Sequence, residues 1–163
     1  VAERLEKIAA KKGFRKVRVS GAEPTVGRGH LVELVNSMDE RLLFILETNG
    51  ILIGDDESYA REFADKNVHV RVALKGATAE EFALLTGVRA EFYDLPLKAL
   101  VNLEKAGASY HAAIMTFSRN TGDLCRRLEK ISPSLSDELE FESLMLFPHV
   151  RKGLERKRIE YFQ

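Results

Sequence analysis

The chain has 163 residues, 45% apolar and 31% charged, a composition that fits one packed domain and disfavours disorder. Its 25 basic and 25 acidic residues cancel, which argues against a broad nucleic-acid footprint. No apolar run approaches the roughly 20 residues that cross a bilayer and no secretory pattern opens the chain. The lone Cys125 excludes an internal disulfide and a multi-cysteine metal site built from this chain alone, so the chain is expected to be cytoplasmic.

Helical spacing of Leu5, Ile8 and Ala9, with Gly13 behind them, predicts a helix over 2–12. A β-branched run predicts a strand over 15–20, followed by a Gly-rich loop and a helix over 28–38. Next come a strand over 41–48 and a helix over 55–66, whose acidic "DDES" start suits a helix N-terminus. A strand over 68–75 precedes a helix over 79–86, where Thr78 can cap and Glu81 can reach back. A helix over 95–106 ends at Gly107. A strand over 109–117, a helix over 119–131, a strand over 138–146 and a helix over 149–160 complete the pattern.

Five strands alternating with helices imply parallel βαβ units, in an open doubly wound sheet or an arc of a barrel. Periodicity separates the two. Val70, Val72 and Leu74 share one face of their strand, and His69, Arg71, Ala73 and Lys75 the other. Val17 and Val19 likewise oppose Lys16, Arg18 and Ser20, and Leu139, Phe141 and Met145 oppose Glu140 and Glu142. A sheet covered on both faces has near-continuous apolar strands; these are apolar on one face. The expected fold is therefore α/β, a partial (β/α) barrel: a curved, mainly parallel sheet of about five strands with helices outside and a polar interior. The competing reading is an exposed polar face, or a structural network of ion pairs.

Three features fall at the carboxyl ends of successive strands, the edge where parallel α/β folds bind ligands: "SGAEP" (20–24), "ETNG" (47–50) and "LKG" (74–76). The loop has neither a Walker A nor a G-x-G-x-x-G spacing. The acid at Glu23 disfavours a contacting phosphate and suits an ammonium or a sulfonium-bearing ligand. Lys75 suits a carboxylate, so the two together suit a zwitterionic amino-acid group. Glu47 and Asn49 could accept from hydroxyls or amines. Each feature alone reads as structural: Gly21 as a tight turn, Asn49-Gly50 as a turn pair, Lys75 as a solvated strand end. Their shared edge favours a site.

"VSGAEPTVGRGHLVELV", "FILETNGILI" and "VRVALKG" together resemble the radical S-adenosylmethionine superfamily, nearest to the enzymes that activate glycyl-radical proteins. The resemblance spans roughly residues 14–150 and implies a partial (β/α)₆ barrel. The family's Gly-Gly-Glu motif, which meets the methionyl amino group, maps to Gly21, Ala22 and Glu23, with Ala22 in place of the second glycine. The acid-Thr-Asn-Gly turn beside the cofactor maps to Glu47, Thr48, Asn49 and Gly50, and Lys75 resembles a lysine near the methionyl carboxylate. Arg18, Arg71, His111, Glu140 and Glu142 are candidates for substrate contact or mutual balance; for His111 a packed, hydrogen-bonded role competes with acid–base chemistry.

The family's 4Fe–4S cluster is held by C-x-x-x-C-x-x-C after the first strand, and this sequence has no such motif. Because the chain starts at Val1 with the helix that would follow that strand, the resemblance implies a radical enzyme lacking its first βα unit. Such a chain is expected to be inactive alone, with S-adenosylmethionine as its cofactor, the cluster and an electron donor belonging to the full-length enzyme, and an unknown substrate. The alternative is a non-catalytic α/β binding or interaction domain. In either case the strand at 15–20 would leave an exposed sheet edge open to homodimer pairing. His30, His149 and the run "RKGLERKR" (151–158) are expected to serve helix flanks and solvated surface, and Cys125 to be a small core residue.

Overall fold

The computed structural model describes residues 1–118, 120–157 and 159. Its elements follow in chain order: α1 (Ala2–Lys12), β1 (Lys16–Val19), a 3₁₀ turn (Pro24–Gly27), α2 (Arg28–Ser37), β2 (Leu43–Thr48), α3 (Ile51–Asp55), α4 (Glu57–Arg61), β3 (Val68–Lys75) and α5 (Ala79–Thr86). A second 3₁₀ turn (Ala90–Tyr93), α6 (Asp94–Ala106), β4 (Ser109–Met115), α7 (Gly122–Glu129), β5 (Glu140–Phe141) and α8 (Pro148–Lys157) complete it.

Among the described residues the five strands form one all-parallel sheet in the order β1-β2-β3-β4-β5. Spatial order follows chain order, so right-handed crossovers carry the helices to one side of the sheet. A doubly wound sheet would instead reverse its order at a switch point. The expected fold class is therefore the observed one, an α/β arc of a barrel with its helices outside.

Alternation fixes which residues meet the helices. Along β3, Val68, Val70, Val72 and Leu74 are buried, while His69, Arg71, Ala73 and Lys75 are only partly covered. Phe44, Leu46 and Thr48 of β2 and Ala112 and Ile114 of β4 join the buried set. Leu100 and Leu103 of α6, Leu124 and Leu128 of α7, and Ile53 of α3 close over them. At about 25 cal/mol per Å² of apolar surface removed from water, this layer is the main source of stability.

Two predicted elements have different bounds for identifiable reasons. The helix expected over 55–66 begins earlier and is split. Gly50 adopts φ 76°, where a β-carbon would crowd Val72, and Asn49 Oδ1 accepts from Ile51 N at 2.9 Å to start α3. Gly54 is pressed onto α6, where any β-carbon would collide with the Leu95 carbonyl. Asp56 then breaks the helix and caps α4, accepting from Ser58 N at 2.9 Å. The strand expected over 138–146 pairs only at Glu140–Phe141, because the chain turns away through Met145–Phe147 into α8. The first position of the helix expected over 119–131, and the end of the one over 149–160, lie outside the described residues; α7 and α8 supply their interiors. Among the described residues no helix is long and apolar enough to cross a membrane.

Candidate functional site

The "SGAEP" loop leaves β1 with two successive residues at positive φ, Gly21 at 90° and Ala22 at 48°. A β-carbon at Gly21 would meet nothing within 4 Å, so backbone conformation, not crowding, selects glycine there. Ala22 holds the left-handed conformation with a methyl group, a strain of about 1–2 kcal/mol. Both residues are exposed.

Glu23 caps the 3₁₀ turn and binds the next strand end. Its Oε1 accepts from Thr25 N at 3.1 Å, Thr25 Oγ1 at 2.5 Å and Thr48 Oγ1 at 2.7 Å, and its Oε2 accepts from Asn49 N at 2.7 Å. Thr25 and Thr48 are buried, and Gly50 N donates to Thr48 Oγ1 at 3.0 Å. Tyr59 of α4 donates to the Thr25 carbonyl at 2.9 Å from beneath. The segments "SGAEP" and "ETNG" are thus one hydrogen-bonded unit. Oε1 has three donors and Oε2 one, so Oε2 retains capacity for a further donor.

The open face of the sheet carries a network centred on Arg71, whose side chain is 11% exposed. Arg71 reaches Glu47 at 3.2 Å, Glu140 at 2.9 Å and Glu142 at 2.9 Å. Arg18 pairs with Glu47, and Lys75 with Glu142 at 2.6 Å. The register aligns Glu47 with Arg71 and Arg71 with His111, which is why residues distant in the chain share one row. Hydrogen bonds from Arg71 and then His111 lower the Glu140 carboxyl to about 2. Burial opposes ionisation of Glu142, yet hydrogen bonds from Lys75 and Arg71 outweigh it and hold the group below the usual carboxylate range. The hydrogen bond to Glu140 leads in holding the Arg71 guanidinium protonated.

The sequence-predicted residues therefore fall into two groups. Gly21, Ala22, Glu23, Thr48 and Asn49 cluster at the β1–β2 edge. Arg18, Glu47, Arg71, Lys75, Glu140, Glu142 and His111 join in the network across the open face. The Glu23 carboxylate is bonded at the end of β2, and Lys75 ends β3, the neighbouring strand. Lys75, expected to await a carboxylate, already holds one in Glu142.

Two participants escaped the sequence reading. His69 lies between Ser109 and His111, with Nδ1 2.7 Å from Ser109 Oγ and Nε2 2.6 Å from His111 Nδ1. Its place in the alternating pattern was the available signal. Glu81, expected to close a capping box on Thr78, instead accepts from Ala77 N at 2.6 Å, Thr116 Oγ1 at 2.6 Å, Phe117 N at 2.6 Å and Ser118 N at 3.1 Å. It binds the β3 and β4 ends together as Glu23 binds β1 and β2, and burial, which opposes its ionisation, is outweighed by these donors.

No family model and no curated protein matches the sequence. Among solved structures, the chain is similar to SuiB of Streptococcus suis bound to S-adenosylmethionine, with TM-score 0.58 and 18% identity over 88% of this chain and 42% of that one. A second SuiB structure gives TM-score 0.58 over 94% of this chain and 44% of that one, again at 18% identity. The chain is also similar to anSMEcpe with bound AdoMet and Kp18Cys peptide, with TM-score 0.55 and 21% identity over 77% and 36%. The chain spans less than half the length of each of these structures, and a likeness at this identity establishes the shared α/β fold.

Proposed function

We propose that this chain is the S-adenosylmethionine-binding part of a radical S-adenosylmethionine enzyme, and that it binds the cofactor at the β1–β2 edge. The observation that carries this reading is the joining of "SGAEP" to "ETNG" through the Glu23 carboxylate. These are the two segments for which the resemblance implies cofactor contact, and structures of similar fold hold S-adenosylmethionine or AdoMet.

The residues fit half of the cofactor well. Glu23 Oε2 has room for one more donor, which suits a methionyl ammonium, and the exposed Gly21–Ala22 backbone admits close approach. The methionyl carboxylate would share Lys75 with Glu142 or displace it. When bound, S-adenosylmethionine supplies a sulfonium whose reductive cleavage gives a 5′-deoxyadenosyl radical; this chain's part is to orient the amino-acid end and exclude water.

The residues do not fit the cluster. The single cysteine, Cys125, lies on α7, and among the described residues no group of three or more His, Cys, Asp or Glu side chains is placed to hold a metal ion. No step through a cluster is assigned to this chain, and the proposal is that alone it binds S-adenosylmethionine without cleaving it. A non-catalytic binding domain is the second reading, favoured by the pairing of Lys75 and Arg71 with carboxylates of the chain itself.

Titration of the ¹⁵N-labelled wild-type protein with S-adenosylmethionine tests the proposal. Saturable amide shifts confined to residues 20–25, 47–50 and the Lys75 strand end (74–76) are the expected result, weakened about tenfold in Glu23→Gln through loss of a charge-assisted hydrogen bond. Absent shifts, or shifts elsewhere, overturn it.

A further inference from the structure

The open face holds a second hydrogen-bonded chain toward the amino ends of the strands. It runs from Ser109 Oγ to His69 Nδ1 at 2.7 Å, from His69 Nε2 to His111 Nδ1 at 2.6 Å, and from His111 Nε2 to Glu140 Oε2 at 3.1 Å. The imidazoles lie 18° from parallel with centroids 4.9 Å apart. That separation exceeds the N···N distance by about two ring radii, so the rings lie end to end in one line, joined by a hydrogen bond and not by face stacking.

The termini of this line fix its protons. Glu140 is ionised and can only accept, so His111 Nε2 carries hydrogen and His111 Nδ1 accepts. His69 Nε2 must then donate, and His69 Nδ1 accepts from the Ser109 hydroxyl. One neutral arrangement satisfies every contact. Adding one proton at His69 Nδ1 reverses the line: His69 Nδ1–H donates to Ser109 Oγ, the His69 Nε2 proton moves to His111 Nδ1, and the positive charge comes to rest beside Glu140. One proton enters, one N–H bond forms at each ring and one breaks at His69, and no electron moves.

We propose that Ser109, His69, His111 and Glu140 form a proton-transfer site that takes one proton at His69 Nδ1 on the amino-terminal edge of the sheet and releases one from His111 Nε2, where the N–H bond breaks as a bond to that proton forms on a basic group of a ligand on the open face. The inlet is accessible, since Ser109 is exposed. The outlet is also accessible, since the Glu140 side chain is 51% exposed. Burial, and then the charge of His111, lowers the His69 pKa, which disfavours retention of a proton on His69. The charged groups around the pair are Lys16 on β1, Glu47 on β2, Arg71 on β3, Glu138 before β5, and Glu140 and Glu142. Arg71 retains its own proton, which leaves the imidazoles as the mobile carriers. This inference stands independently of the identity of the ligand at the β1–β2 edge.

Imidazole ¹⁵N spectra of the full chain test it directly. Near neutral pH both rings are expected as Nε2–H tautomers, and on acidification both should respond together to uptake of one proton. The decisive readout is solvent exchange of the His111 ring proton. Ser109→Ala, an exposed change, and separately His69→Gln cut the line upstream and should slow that exchange about tenfold or more, with the backbone amide spectrum unchanged. An exchange rate unchanged in Ser109→Ala means that His111 exchanges straight from the open face and overturns the relay. So does an Nδ1–H tautomer in either wild-type ring, or independent uptake of two protons.

Discussion

Along β3, adjacent residues occupy different media. Val68, Val70, Val72 and Leu74 lie under the helices in a layer from which water is excluded. One residue away in each case, His69, Arg71, Ala73 and Lys75 face an open surface where each charge has a named partner. The covered face stabilises by transfer of apolar area. The open face gains little net stability, since desolvation offsets much of each ion pair's attraction. What it gains is position: Arg71 holds acids from β2 and the β5 segment in one row.

The largest predicted effect comes from the covered face. Leu100→Ala removes a fully buried side chain from α6 and should lower unfolding stability by about 3 kcal/mol, read from urea denaturation. Arg71→Met should cost about 2 kcal/mol, because three carboxylates lose their shared cation. The two faces separate in the double variant. Adding Glu142→Gln should recover part of the Arg71→Met loss, whereas no polar partner change can recover Leu100→Ala. If Arg71→Met alone matched Leu100→Ala and the second change recovered nothing, the open face would be a core in its own right.

Acid dissects the same contrast with a smaller effect. Glu140, Glu142 and Glu81 all have folded-state values below the ordinary carboxylate 4.5, with Glu140 lowered to about 2. A carboxyl depressed on folding adds stability above its unfolded value and loses it as pH falls toward the folded one. Stability should therefore decline between about pH 4.5 and 2. Arg71→Met should flatten that decline, and added salt should weaken it, because Glu140 is half exposed. Leu100→Ala should shift the whole curve without changing its slope, and denaturation midpoints at a series of pH values distinguish the two patterns.

Legibility followed the range of the interactions. The alternation in "VHVRVALK" is local, so the two faces and the partial barrel could be read before the structure. The split of the helix expected over 55–66 could not, because Gly54 answers to the Leu95 carbonyl 41 residues later in sequence. Glu81 was legible as a cap, but its reach to Thr116, Phe117 and Ser118 depends on how β4 ends beside β3. His69 was visible only as one of an alternating row, since its partner on β4 is set by the β3–β4 register. Glu23 was singled out as a ligand for an ammonium, and the structure gives its carboxylate four donors from the chain itself. An acid between Gly-Ala and Pro signals a strained strand-end loop; how much of the carboxylate remains free is a tertiary property.

Ala22 gives the smallest effect and belongs to neither face. At φ 48° its methyl group occupies a conformation that glycine adopts without penalty. Ala22→Gly relieves about 1–2 kcal/mol of strain and gives back about 0.4–1 kcal/mol by loosening the unfolded chain. The net should be a gain of roughly 0.5–1 kcal/mol in urea denaturation. A loss instead would mean that the methyl group packs in the folded loop and is retained for that contact. The same variant bears on the proposed cofactor edge: a gain in stability with unchanged S-adenosylmethionine shifts at residues 20–25 would show that the loop binds through its backbone and the Glu23 carboxylate, with the alanine as a tolerated strain.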